Sequence, residues 1–115
     1  MKYAIITGAS SGFGAATAKE LQNMGYGLVL LARRIDRLQE LQKKLIETDV
    51  YIAQLDVRDE TAVQKCIAEL PVHISANIHV LINNAGLAVG RGPLDQGLSE
   101  DWNRMLDTNV KGLLY

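Results

Sequence analysis

Thr7 and three glycines near the start of the chain have the residue types and spacing that bind phosphates. The run Thr-Gly-x-x-x-Gly-x-Gly ends at Gly14, follows a short apolar segment and leads into an alanine-rich segment of helical spacing. A helix N-terminus offers unpaired backbone N–H groups and the positive end of the helix dipole, so an anion there gains hydrogen bonds and a favourable field. The pattern predicts a loop that holds the phosphates of a nucleotide.

Each glycine of this loop has a separate predicted role. Gly8 turns the chain at dihedral angles that a Cβ would forbid, Gly12 leaves room for phosphates, and Gly14 lets the helix pack closely on the sheet. The alternative is an ordinary glycine-rich loop between a strand and a helix. A buried strand before the loop, a helix after it and a second strand at a suitable distance favour the nucleotide interpretation.

The residues after the second strand predict which dinucleotide is bound. An NAD site needs a carboxylate there to accept the ribose hydroxyls, whereas a carboxylate repels a 2′-phosphate. Ala32 occupies that place, and Arg33 and Arg34 follow it. A guanidinium fork matches phosphate oxygens, so the two arginines predict NADP, and Ser10 or Ser11 can add a hydroxyl contact. The alternative is that both arginines begin a solvated helix.

Four apolar segments predict the strands that position these residues, at residues 4–6, 28–32, about 50–57 and 80–82. The residues that mark the predicted helix ends are Gly25, Asp36 with Gln39, Asp59 or Thr61, Pro71 and Ser99. Four strands that alternate with four helices predict an α/β fold with a Rossmann-like, doubly wound parallel sheet. In such sheets ligands bind beyond the carboxyl ends of the strands.

The composition excludes several classes of function. The 115 residues suffice for about one domain, and a net charge of −1 offers no basic surface for nucleic acid. Cys66 is the single cysteine, which predicts a reducing, cytoplasmic location and no zinc site, and His73 and His79 are not spaced as ligands on one helical face. We expect no membrane span or signal peptide, since the first apolar run is too short for either. Cys66 and Trp102 lie on apolar helical faces, so we expect them in the core.

Four motifs follow one another along the chain: the glycine spacing, Asp56 with Val57, the run from Asn83 to Gly86, and Asn109. In the order and spacing of these motifs, the sequence resembles the N-terminal half of the short-chain dehydrogenase/reductase family. Residues 51–58, 82–88 and 111–115 are similar to bacterial NADP-dependent 3-hydroxy acid dehydrogenases, which act on serine or allo-threonine. The resemblance implies hydride transfer between NADP(H) and an alcohol or carbonyl compound, a small-molecule substrate such as a 3-hydroxy acid.

The resemblance also implies residue roles. Asp56 accepts a hydrogen bond from the adenine amino group, and Asn109 helps hold a water in the family's catalytic tetrad. The alternatives are an aspartate that begins a helix and an exposed helical asparagine, and asparagine and glycine also favour simple turns. The cofactor-binding residues expected in full are Thr7, Gly8, Ser10, Ser11, Gly12, Phe13, Gly14, Arg33, Arg34, Asp56, Val57, Asn83, Ala85 and Gly86.

The family's catalytic serine and its Tyr-x-x-x-Lys pair are not found in this sequence. None of Tyr3, Tyr26, Tyr51 and Tyr115 has a lysine four positions later. We therefore expect residues 1–115 to form a single NADP-binding domain, truncated before the catalytic half and inactive alone. A stand-alone nucleotide-binding module and a non-enzymatic interaction protein are the alternatives. An uncovered strand edge and an uncovered helix face predict a homo-oligomer.

Overall fold

The computed structural model describes residues 1–84, which form four strands and four helices. The predicted helix after Ser99, with Trp102, lies outside the described residues. The strands are β1 (Tyr3–Thr7), β2 (Gly27–Ala32), β3 (Val50–Gln54) and β4 (Ile78–Asn83). The helices are α1 (Gly12–Asn23), α2 (Ile35–Lys44), α3 (Glu60–Glu69) and α4 (Val72–Ser75). Within the described part of the chain, no helix is long and apolar enough to cross a membrane.

The four strands form one parallel sheet in the order β3-β2-β1-β4. Ile5 in β1 pairs with Val29 in β2 on one side and with Leu81 in β4 on the other. The chain winds outward from β1 to β3 and then returns to the far side of β1, so the winding direction reverses between β1 and β4. This confirms the predicted doubly wound α/β sheet and places its ligand-binding end above β1.

Both faces of the sheet are covered by helices. Alternate residues of β1 and β2, such as Ile5 and Val29, pack with Val63 of α3 and Ile74 of α4 on one face. The other alternate set, such as Ile6, packs on the opposite face with α1 and α2. Every residue of β1 and β2 is buried, which explains why both strands are continuous apolar runs apart from Thr7 and Gly27.

Most element boundaries agree with the sequence predictions, and Asp36 is an exception. Arg34, with extended backbone, precedes the first turn of α2, and Asp36 lies inside that turn, so the prediction that Asp36 caps the helix was wrong. Asp59 does cap α3, because its carboxylate accepts the Ala62 N–H at 3.1 Å. Gly25 follows α1 with φ 91°, as expected of the left-handed residue that ends a helix.

The segment between Pro71 and β4 is also more ordered than predicted. Pro71 stops α3 as expected, but it also precedes the short helix α4, and its carbonyl accepts the N–H groups of Ile74 and Ser75. Its fixed φ suits the residue that opens a helix. β4 therefore begins at Ile78 rather than at residue 80, and β3 ends at Gln54 rather than near residue 57.

Candidate nucleotide-binding site

A cleft of about 670 Å³ opens at the carboxyl ends of the strands. Its walls are the loop after β1, the turn that leads from β2 into α2, the segment after β3 and the end of β4. The lining residues are Gly8, Ser10, Ser11, Ala32, Arg33, Arg34, Arg37, Leu55, Asp56, Val57, Arg58 and Asn84. Among the described residues, four arginines and one aspartate face this cleft, so the lining carries an excess of positive charge that suits an anion.

The loop between β1 and α1 depends on two glycines for different reasons. Gly8 has φ 62°, a left-handed conformation that side chains with a Cβ rarely adopt. A Cβ on Gly14 would lie 2.6 Å from the Cα of Ala9 and 2.7 Å from the carbonyl oxygen of Gly8. The predicted turn at Gly8 and the predicted close packing at Gly14 are therefore both present, although Gly14 packs on the loop itself. The start of α1 is thereby pressed against the end of β1.

Ser11 closes this loop and begins the helix. Its hydroxyl donates to the Gly8 carbonyl at 3.0 Å and accepts the N–H of Gly14 at 3.1 Å. Within residues 1–84, nothing accepts the backbone N–H groups of Gly12 and Phe13. A Cβ on Gly12 would have no neighbour within 4 Å. The first turn of α1 therefore presents two N–H donors next to open space, which is the arrangement a phosphate requires.

The opposite wall is the turn after β2. Ala32 is only 5% exposed at the end of the strand, and its carbonyl accepts the N–H of Leu55 at 2.8 Å. The Gln54 side chain donates to the Arg33 carbonyl at 2.9 Å, which holds the backbone of this turn. The Arg34 guanidinium forms two hydrogen bonds with the Asp36 carboxylate, at 3.2 and 3.3 Å, and lowers the pKa of Asp36.

Asp56 and Arg58 form a second ion pair on the wall after β3. Asp56 Oδ1 accepts the backbone N–H of Arg58 at 3.0 Å and its Nε at 3.1 Å, while Oδ2 accepts Nη2 at 3.0 Å. Hydrogen bonds from the Arg58 side chain, with smaller contributions that include the charge of Arg33, lower the pKa of Asp56 to about 2. The carboxylate is therefore ionised at neutral pH and fixed in orientation.

The end of β4 contributes two asparagines. Asn83 accepts the Thr7 hydroxyl on its amide oxygen at 2.9 Å, beneath the cleft. Asn84 lines the cleft, and its Nδ2 is buried without an acceptor in the part of the chain that the structure describes. Asn84 thus places a polar side chain on the cleft wall whose buried amide donor still needs an acceptor, because an unpaired buried donor costs free energy.

The structure brings together about half of the residues predicted to bind the cofactor. Those that line the cleft are Gly8, Ser10, Ser11, Arg33, Arg34, Asp56 and Val57. Thr7, Gly12, Phe13, Gly14 and Asn83 lie beneath or beside it, and Phe13 is 80% exposed. Ala85, Gly86 and Asn109 lie outside the described residues. The ligand roles of all of these residues stay predictions.

Sequence reasoning did not select Arg37, Leu55 and Arg58 as ligands, although all three line the cleft, and it included Asn84 only as part of the run from Asn83 to Gly86. Arg37 lies one turn after Arg34 in α2, a spacing that places both on one side of the helix. Arg58 follows the predicted ligand Asp56 by two residues. Both arginines lie close in sequence to the predicted end of a strand, and this proximity was the signal that could have identified them as cleft residues.

The parallel sheet, its switch point and the glycine loop after β1 define a Rossmann-like protein of the α/β class. Comparison with known families makes this specific, because the sequence profile described as short chain dehydrogenase matches residues 2–115. The chain therefore belongs to the short-chain dehydrogenase family, and the resemblance inferred from the motifs is confirmed.

Relatives of known function are similar over nearly all of the chain. The NADP-dependent 3-hydroxy acid dehydrogenase YdfG of Escherichia coli (strain K12) is 44% identical over 111 residues, which are 96% of this chain and 44% of that protein. Sulfoacetaldehyde reductase 2 of Chromohalobacter salexigens is 47% identical with the same two coverages. The chain thus spans less than half the length of the curated relatives it matches.

Solved structures agree with this assignment. The crystal structure of serine dehydrogenase from Escherichia coli superposes with a TM-score of 0.69 at 43% identity, covering 98% of this chain and 51% of that one. The closed form of serine dehydrogenase complexed with NADP+ gives 0.68 at the same identity, covering 98% and 45%. The fold of this chain is therefore that of the family.

Proposed function

We propose that this chain is the cofactor-binding portion of an NADP(H)-dependent oxidoreductase. The observation that carries the proposal is the cleft itself, whose wall after β2 has Ala32 where an NAD site needs an acid, followed by Arg33 and Arg34. The relatives support the same cofactor, since YdfG is an NADP-dependent enzyme and serine dehydrogenase is known in complex with NADP+.

The residues present fit the parts of NADP(H). The N–H groups of Gly12 and Phe13, with the open space at Gly12, suit the pyrophosphate. The guanidinium groups on the wall after β2 suit the 2′-phosphate, because a bidentate donor fork matches its oxygens. Asp56 suits the adenine edge. When bound, the nicotinamide supplies the hydride chemistry, and the protein orients it.

The arginine assignment is tested by removing one guanidinium. Arg33→Gln keeps a polar side chain of similar length but loses the positive charge. We expect NADPH affinity to fall roughly tenfold, the effect of losing one charge-assisted contact, and NADH affinity to stay the same. Titration calorimetry with both dinucleotides measures the two affinities. Equal losses for NADPH and NADH would contradict the assignment, since NADH lacks the 2′-phosphate.

The proposed reaction is hydride transfer between NADP(H) and a small alcohol or carbonyl compound, with 3-hydroxy acids as the first candidates. The names of the relatives support this class, because they include 3-hydroxy acid and serine dehydrogenases. Asn109 is the only tetrad position that we assign in this sequence. The alternative is a nucleotide-binding module without catalysis.

The mass and the turnover of the protein isolated from its native cells separate these two functions. The oxidoreductase portion and the stand-alone module both predict that the 115-residue chain binds NADPH and does not oxidise serine or another 3-hydroxy acid. They differ in the protein isolated from its native cells. A mass of about 12.6 kDa supports the module, and a larger mass with 3-hydroxy acid turnover supports the oxidoreductase.

The proposal includes self-association and a cytoplasmic location. In the described part of the sheet β4 has a neighbour on one side only, and its residues from His79 to Asn83 are half-buried. An open strand edge favours pairing with a second chain. Sedimentation of the chain tests this expectation: a homo-oligomer is predicted, and a monodisperse monomer would contradict it.

A further inference from the structure

The ion pair between Asp56 and Arg58 fixes the orientation of the Asp56 carboxylate as well as neutralising its charge. Three hydrogen bonds join the two residues, one from the backbone and two from the guanidinium. Arg58 is mostly exposed, at 56% of its side chain, and such pairs contribute little to stability. The pair lies on the wall of the cleft, which suggests a role in ligand binding rather than in folding.

The hydrogen bonds divide the two oxygens of Asp56 unequally. Oδ1 accepts two donors from Arg58, and Oδ2 accepts one. A carboxylate oxygen has two lone-pair directions, so partners within residues 1–84 saturate Oδ1 and leave one direction open on Oδ2. Because the bidentate fork also fixes the carboxylate plane, this remaining direction is set by the position of Arg58.

We propose that Arg58 is a positioning residue for nucleobase recognition, which holds Asp56 so that Oδ2 accepts the exocyclic amino group of adenine. This inference rests on the proposed function and deepens it, since it assigns the base-selecting contact to a pair of residues instead of to Asp56 alone. Without the guanidinium, only the backbone N–H of residue 58 still holds Asp56 Oδ1, so the direction of Oδ2 is no longer fixed. The positive charge of Arg58 also offsets the negative charge of Asp56 on this wall of the cleft.

The test compares NADPH with its hypoxanthine analogue, in which a carbonyl oxygen replaces the adenine amino group. In the wild-type chain we expect NADPH to bind about tenfold more tightly than the analogue, the effect of one hydrogen bond to a charged acceptor. In Arg58→Gln we expect this ratio to fall at least about threefold. A loss of positive charge or of folded protein lowers the affinities for both ligands by the same factor, so it does not change their ratio.

Two further variants complete the design. Arg58→Lys keeps the charge but not the fork, so we expect it to restore overall affinity without restoring the full ratio. Arg34→Gln removes the matching exposed pair with Asp36 on the opposite wall. We expect this variant to bind both ligands more weakly and to keep the wild-type ratio of the two affinities.

The outcomes separate this inference from the proposed function. A wild-type chain that binds neither ligand would contradict the proposed function. A wild-type chain that binds both equally would show that Asp56 does not select the amino group, which overturns the inference alone. An unchanged ratio in Arg58→Gln would also overturn it, because Arg58 would then act only through its charge.

Discussion

The Thr7 hydroxyl donates a hydrogen bond to the Asn83 amide oxygen at 2.9 Å, which joins the carboxyl ends of β1 and β4 directly beneath the cleft. Thr7 is fully buried and is the one polar side chain in β1 apart from Tyr3. The winding of the sheet reverses between these two strands. The contact therefore fixes the two strand ends between which a doubly wound fold opens its ligand site.

Removing this hydrogen bond should destabilise the fold. Thr7→Val keeps the shape but leaves the Asn83 amide without its donor, so we expect the free energy of unfolding to fall by about 1 kcal/mol. Urea unfolding of Thr7→Val, Asn83→Ala and the double variant isolates the pair. A coupling energy of about 0.5–1 kcal/mol is expected. Strictly additive losses would show that the contact contributes nothing.

Ala32 predicts the outcome of a cofactor switch. Ala32→Asp places a carboxylate at the end of β2, next to Arg33 and Arg34. There it repels a 2′-phosphate and accepts hydrogen bonds from ribose hydroxyls. We expect the preference for NADPH over NADH to fall by roughly tenfold or more. Ala32→Asn is the uncharged control and should change the preference less. An unchanged ratio of NADPH to NADH affinity in Ala32→Asp would contradict the assignment of this wall to the 2′-phosphate.

Two glycines of the phosphate loop predict opposite phenotypes. Gly14→Ala forces a Cβ against the backbone of Ala9 and Gly8, so we expect it to lower the free energy of unfolding by about 1–3 kcal/mol. Gly12→Ala meets no atom within 4 Å and should leave stability intact, while its methyl group fills the space for the pyrophosphate. Thermal unfolding and NADPH titration of both variants measure these effects. Normal NADPH affinity in Gly12→Ala would contradict a phosphate at that position.

Tyr3 predicts how stability depends on alkaline pH. Burial, followed by the hydrogen bond and charge of Asp49, raises the Tyr3 pKa from 10.0 to about 12. Because the folded state holds this proton more tightly, its contribution to stability is complete below pH 10 and is lost between about pH 10 and 12. We expect Tyr3→Phe to show a smaller loss of unfolding free energy over that range than the wild-type chain. Parallel curves for the two proteins would contradict the assignment.

The buried strands and the phosphate loop were predictable from sequence because each depends on local chemistry. A strand buried on both faces must be a continuous apolar run, as in β2, and a left-handed turn such as that at Gly8 favours glycine. The helix α4 was missed because four residues are too few to show a helical period. Its start depends on Pro71, which the sequence prediction used only as the end of α3.

The side-chain pairing in the cleft was not predictable for a different reason. Asp36 has the sequence features of a helix cap, yet its carboxylate bonds to Arg34. Asp56 was recognised as a candidate ligand, but its orientation is set by Arg58, two residues later in an irregular segment. Contacts between neighbouring side chains outside regular elements follow from the actual backbone path, and periodicity carries no information about it.

The measurement that tests the central claim most directly is the affinity of the wild-type chain for NADPH and NADH, determined by titration calorimetry under identical buffer and salt. Arg33 and Arg34 line the wall after β2, and position 32 has alanine instead of an acidic residue. These features predict that NADPH binds at least about tenfold more tightly than NADH. Equal affinities, or no binding of either dinucleotide, would contradict the account of this cleft as an NADP(H) site.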